Sequence, residues 1–329
     1  MPTNAQSEDI AARVRDGDRR ALARAITLVE SSRPEDRQSA GELLELLTPG
    51  ADGSIRIGIS GVPGVGKSTF IEALGNHVIE QGHKIAVLAV DPSSALSGGS
   101  ILGDKTRMET LSQKLEAFIR PSPAGGTLGG VTRHTRETMR IVEAAGFDVV
   151  IVETVGVGQS ETAVAEMTDM FLLLLLPGGG DELQGIKRGI VELADMVVVN
   201  KADGDLENAA GRAAADYRGA LGFLHPRHPD WKVPVETCSA LEGRGIEEVW
   251  RTIERYREAM SASGELEKTR AAQARAWLWS EVSATLHETL QSDDRVRGQV
   301  AALEQAVADG HTSPWVAAQQ LVDAFRQRG

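Results

Sequence analysis

Short apolar runs alternate with helical stretches over most of the chain. Seven runs read as strands, at residues 55–60, 84–90, 117–120, 148–153, 170–176, 196–200 and 233–237. The run at 170–176 is apolar almost throughout, the mark of a parallel strand buried on both faces. Strands that alternate with helices need right-handed crossovers and give a mainly parallel sheet with helices on both faces, so the predicted fold class is α/β. Ahead of this pattern, residues 1 to about 50 read as helical in two pieces. Ala11, Val14, Ala21, Leu22 and Ala25 mark the first, and Leu43, Leu44, Leu46 and Leu47 the second. Ser32-Arg33-Pro34 separates them and Thr48-Pro49-Gly50 ends them. After Gly243-Arg244-Gly245 a helix runs through Trp250, Ile253, Tyr256 and Met260 to a joint at 261–264. Three further helical stretches follow, at about 265–291, 294–309 and 313–328, the last opened by Ser313-Pro314 as N-cap and first-turn proline. The stripe Trp277, Leu278, Trp279, Val282, Leu286 and Leu290 is large for a short tail. It fits a subunit interface and packing within its own domain equally well.

Directly after the first strand stands Gly61-Val62-Pro63-Gly64-Val65-Gly66-Lys67-Ser68, with Thr69 and a helix to about residue 81 behind it. G-x-x-x-x-G-K-S between a strand and a helix is a phosphate-binding loop. Its glycines let the backbone curl so that N–H groups face phosphate oxygens. Lys67 reaches the β- and γ-phosphates, and the Ser68 hydroxyl can ligate Mg²⁺. The motif implies a nucleoside triphosphate ligand.

Three other strand ends carry chemistry. The run ending in Glu153-Thr154-Val155-Gly156 puts a carboxylate where it can face Mg²⁺, directly or through water. Gly156 is placed to donate its N–H to the γ-phosphate, so residues 157–161 would sense a tri- from a diphosphate. Asn200-Lys201-Ala202-Asp203 has the N-K-x-D form of a guanine reader. Asp203 accepts from the N1–H and exocyclic amine of guanine, which adenine cannot match. The Lys201 stem lies along the purine and Asn200 ties this loop to the phosphate loop. Ser239-Ala240-Leu241 suits recognition of guanine O6 through the Ala240 N–H. The nucleotide is thus expected to be GTP. Between these motifs, the glycine-rich stretch 91–107 begins with Asp91 and carries Asp104. With Glu153 these acids form a cluster around Mg²⁺, or they are turn formers in a surface loop. Pro177-Gly178-Gly179-Gly180 precedes Lys187 and Arg188; Lys187 is the candidate for stabilising transition-state charge, against a plain helix start with solvated charges. Lys67, Asp91, Glu153 and Lys187 form the expected catalytic set.

Composition narrows the class. The chain has 329 residues, a formal net charge of -12 and no basic stripe, which argues against a general nucleic-acid binder. Its single cysteine, Cys238, excludes internal disulfides and reads as a small buried residue at a strand end. No leader pattern stands out and the longest apolar run is too short for a bilayer, so no membrane association and a cytoplasmic location are expected.

The phosphate loop, the 91–107 stretch, Thr127-Leu128-Gly129-Gly130-Val131, Glu153-Thr154-Val155-Gly156-Val157-Gly158-Gln159-Ser160-Glu161 and Asn200–Asp203 together resemble the MeaB/ArgK-type GTPases, over roughly residues 10 to 290. The resemblance implies a P-loop GTPase domain at 51–262, a helical N-terminal extension at 1–50 and a helical C-terminal dimerisation arm at 263–329. It implies a homodimer that gates adenosylcobalamin delivery from an adenosyltransferase to a B12-dependent acyl-CoA mutase, such as methylmalonyl-CoA mutase, and helps remove damaged cofactor. By position, Ser68, Asp91, Asp104 and Glu153 would surround Mg²⁺, and Lys187 would be a mobile cation on a third switch. Two departures stand out. The loop lacks the extra lysine of some dimerising relatives, and residues 122–126 are richer in glycine than the family pattern. A nickel-inserting GTPase is the nearest rival, but the seven His are scattered and the cysteine stands alone. A kinase of a transport protein, an older name within the family, fits the guanine reader poorly.

Overall fold

The computed structural model describes residues 4–31, 33–48, 53–90, 108–121, 128–154, 160–178, 188–223, 227–228 and 230–326. The seven expected strands are present: β1 (Ile55–Gly61), β2 (Ile85–Val90), β3 (Ala117–Arg120), β4 (Val149–Thr154), β5 (Met170–Leu175), β6 (Met196–Val199) and β7 (Val235–Thr237). They form one sheet in the order β3-β2-β4-β1-β5-β6-β7, with every neighbouring pair parallel. The five central strands are buried along their whole length, which is why each reads as a nearly continuous apolar run. From β1 the chain crosses to β2 on one side, and from β4 it crosses to β5 on the other. The winding therefore changes direction beside β1, and the crevice at its carboxyl end is the natural ligand position.

The helices in chain order are α1 (Asn4–Arg15), α2 (Arg19–Val29), α3 (Pro34–Leu47), α4 (Lys67–Glu80), α5 (Leu128–Ala144), α6 (Ser160–Ala165), α7 (Arg188–Val191) and α8 (Glu207–Leu221), then α9 (Ile246–Ser263), α10 (Glu265–Ser292), α11 (Asp294–Ala308) and α12 (Pro314–Arg326). α4 and α9 cover one face of the sheet through Phe70, Ile71, Leu74, Val249 and Ile253. The other face carries α5, α6 and α8, and Leu22, Ile26 and Leu43 of the N-terminal helices belong to that same core.

The N-terminal segment holds three helices, where two were expected. The missed break lies at Asp16-Gly17-Asp18. Gly17 takes a left-handed backbone (φ 77), and the Asp18 carboxylate caps α2 by accepting from the N–H groups of Arg20 and Ala21 at 2.8 and 3.1 Å. A stop and a start compressed into three residues leave the count of apolar positions undisturbed.

The chain divides into two compact units, one up to Glu267 and one from Lys268. In the second, α11 and α12 pack on each other. The Ser313 hydroxyl accepts from the Val316 N–H at 3.3 Å, the expected cap. Leu278, Trp279 and Leu286 stay exposed. Among the described residues, no helix is long and apolar enough to cross a membrane.

One buried ion pair fastens β1 to α5. Arg56 donates from Nε to Glu143 Oε1 at 2.6 Å and from Nη2 to Oε2 at 2.8 Å, while Ser54 Oγ donates to Oε1 at 2.7 Å. Removing the cation alone strands a carboxylate in low dielectric. Arg56→Ala is therefore expected to cost about 3–5 kcal/mol in urea unfolding, and the double change Arg56→Met, Glu143→Leu to recover most of it. Equal losses in the two variants would contradict this.

Candidate functional site

β1 ends at Gly61 and α4 begins at Lys67, so residues 62–66 reverse the chain at the switch point. Gly61 runs hard against β5: a Cβ there would sit 2.5 Å from the Leu174 carbonyl oxygen, so no side chain fits. Gly66 is left-handed (φ 91), and a Cβ on it would meet Asn200 Nδ2 at 2.9 Å. Val65 is fully buried and anchors the loop. The first intrahelical bond runs from the Phe70 N–H to the Gly66 carbonyl at 2.9 Å. The N–H groups of Lys67, Ser68 and Thr69 thus precede the ladder, at the positive end of the helix dipole. This is an anion cradle by construction.

Lys67 Nζ donates to the Gly61 carbonyl at 2.7 Å, folded back over its own loop. Burial holds its pKa below the usual lysine value, with the carboxylates of Glu153 and Glu161 opposing that shift only in part. Glu153 is 5% exposed on β4, in register with Ile59 of β1. Beside it, Thr154 Oγ1 donates to Ser60 Oγ at 3.0 Å. Glu161, 1% exposed in the first turn of α6, was not singled out from the sequence as a site residue. Its place in the Gln159-Ser160-Glu161 string was visible, but its burial depends on how α6 packs.

The expected base-reading end is built from two loops. Asn200, one residue beyond β6 and 1% exposed, donates from Nδ2 to the Val65 carbonyl at 2.9 Å. Its Oδ1 accepts from the Ala240 N–H at 3.1 Å and from the Cys238 thiol at 3.5 Å. Cys238 is buried one residue past β7, as expected, and burial pushes its thiol up to about 12, so it stays a donor. Lys201 adopts a left-handed backbone (φ 59), a conformation that costs a side chain about 1–2 kcal/mol. Ser239 Oγ donates to Asp203 Oδ2 at 2.5 Å and accepts from the Glu242 N–H at 3.2 Å. Leu241 stands 82% exposed beside this turn.

The structure thus gathers residues 61–69, Glu153, Asn200, Lys201, Asp203, Ser239, Ala240 and Leu241 at the carboxyl ends of β1, β4, β6 and β7. Asp91, Asp104, Gly156 and Lys187 lie outside the described residues. Among the described residues, no three His, Cys, Asp or Glu side chains cluster to hold a metal ion.

Residues 22–295 match the family described as methylmalonyl Co-A mutase-associated GTPase MeaB. The chain belongs to the MeaB family of GTPases. Among relatives of this MeaB-family GTPase, the mouse protein named methylmalonic aciduria type A homolog, mitochondrial, is 50% identical over 322 residues, covering 95% of this chain and 78% of that one. The Escherichia coli protein named GTPase ArgK is 52% identical over 266 residues, covering 81% of this chain and 80% of that one. A crystal structure described as an LAO/AO transport system kinase superposes with a TM-score of 0.76 at 38% identity, covering 99% of this chain and all of that one.

For this MeaB-family GTPase, Lys67→Ala removes the cation folded back over the cradle. GTP affinity measured by calorimetry is expected to fall by about 100-fold or more, with thermal stability held within a few degrees. Retained affinity would dismiss the cradle as the phosphate site.

Proposed function

We propose that this GTPase is a chaperone of an adenosylcobalamin-dependent acyl-CoA mutase, methylmalonyl-CoA mutase or a near relative. In this reading GTP hydrolysis gates cofactor loading from an adenosyltransferase and the removal of damaged cofactor. The family description and the name of the mouse relative support the mutase as partner. The observation that carries the nucleotide part is the Asn200 amide, which bonds the phosphate loop at Val65 and the purine turn at Ala240. Phosphates and base then belong to a single ligand, and a guanine nucleotide fits both ends.

In hydrolysis, water attacks the γ-phosphorus, the bond to the β–γ bridging oxygen breaks, and GDP and phosphate leave. Lys67 exchanges its bond to the Gly61 carbonyl for phosphate oxygens, and the helix N–H groups hold the β-phosphate. The Ser68 hydroxyl and Glu153 are hard oxygen donors that suit Mg²⁺, with Asp91 and Asp104 completing the expected set. Mg²⁺, when bound, neutralises charge on the β- and γ-oxygens. Gly156 senses the γ-phosphate and Lys187 supplies the mobile cation. The exposed Leu278, Trp279 and Leu286 favour a homodimer formed through the C-terminal arm. The protein acts in the cytoplasm.

GTP turnover is to be measured with the protein alone and with methylmalonyl-CoA mutase; stimulation by the mutase is expected, and its absence with any B12-dependent mutase would sink the chaperone role. Asp203→Asn is expected to exchange guanine for xanthine preference in competition binding, because the amide offers a donor where guanine also donates. An unchanged guanine preference would remove Asp203 from base reading.

A further inference from the structure

Lys201 is the one non-glycine residue with a left-handed backbone among the described residues, and it sits in the loop that presents Asp203. Such a conformation persists only where the surrounding peptides are held. The next residue, Ala202, is held at both its polar atoms. Its N–H donates to the Cys238 carbonyl at 2.9 Å, and its carbonyl accepts from Arg244 Nη2 at 3.2 Å. Arg244 is itself tethered from two directions: Nε donates to Glu242 Oε2 at 2.7 Å and Nη1 to Glu207 Oε1 at 3.4 Å.

The backbone is shaped to bring this guanidinium over the loop. The Ser239 N–H donates to the Arg244 carbonyl at 3.0 Å, closing a tight reversal. Gly245, left-handed at φ 77, follows at a point where a Cβ would lie 2.5 Å from the Thr237 carbonyl oxygen. One side chain therefore spans three segments: the Asn200–Asp203 loop, the turn carrying Ser239 and Ala240, and the start of α8. It does so from the surface, half-exposed.

We propose that Arg244 is a positioning residue for base recognition: its planar fork clamps the Ala202 carbonyl, keeps Lys201 left-handed, and so fixes Asp203 against the Ser239–Ala240 turn. This deepens the guanine-reading role of Asp203 and rests on it. The clamp needs donors fixed in one plane and aimed at separate acceptors, which a lysine ammonium cannot supply.

The test uses the full-length chain and three measurements: dissociation of GDP, relative affinity for GDP and IDP (whose base lacks the 2-amino group), and melting of the nucleotide-free protein. In Arg244→Ala, GDP is expected to leave about ten-fold faster and the preference for GDP over IDP to narrow, with melting within about 2 °C of wild type, as for loss of surface contacts. Arg244→Lys is expected to match Arg244→Ala. Unchanged dissociation and preference in Arg244→Ala would overturn the clamp, as would full rescue by lysine. A uniform loss for GDP and IDP alongside a lower melting temperature would overturn it too, showing general loosening. If wild type itself fails to prefer GDP over IDP, the base-reading role of Asp203 falls first and the clamp with it; a wild-type preference unaltered in the variant removes the clamp alone.

Discussion

A single buried amide holds the crevice together. Asn200 stands at the end of β6, yet its donor end reaches the phosphate loop after β1 and its acceptor end the turn after β7. A primary amide can do this because it offers opposite polarity at two ends of one rigid plane. Buried away from water, each end must be satisfied, so the spacing of the two loops is enforced rather than merely allowed. The glycine at position 66 follows from the same constraint, since any Cβ there would press on the Asn200 nitrogen. The parallel sheet serves the amide by delivering β1, β6 and β7 to one edge with a fixed stagger.

The phosphate end works by withheld neutralisation. Lys67 is partly stripped of water, turned onto the Gly61 carbonyl, and balanced by Glu153 and Glu161. A polyphosphate offers stronger and more numerous oxygen partners than one carbonyl, so the ammonium has cause to move. Glu161 lies in α6, directly after residues 155–159, and its charge links that helix to the state of Lys67.

Much of this was legible in the chain, for physical reasons that differ by element. The strands were visible because burial on both faces makes each one apolar without alternation, and their ends fell within a residue or two. β7 starts at Val235 rather than Val233 because Pro234 has no N–H to give the ladder, although its carbonyl accepts from the Val197 N–H. The expected phosphate and base motifs rest on chemistry that constrains residue type at fixed spacing, and the structure brings both to the carboxyl ends of strands in the same sheet. Glu161 and Arg244 were not legible: a charged residue reads as solvated until packing reveals one buried and the other bound to a backbone carbonyl. The break at Gly17 escaped for the opposite reason, being settled by three residues whose apolar neighbours kept their periodicity.

The central claim is that one crevice grips both the phosphates and a guanine base. Calorimetric titration of the wild-type protein with GTP and with ATP, in the presence of magnesium, tests it most directly. The account predicts tight binding of GTP and affinity for ATP weaker by about 100-fold or more, since the Asp203 carboxylate meets no donor pair on adenine. Equal affinity for the two, or a preference for ATP, would contradict it.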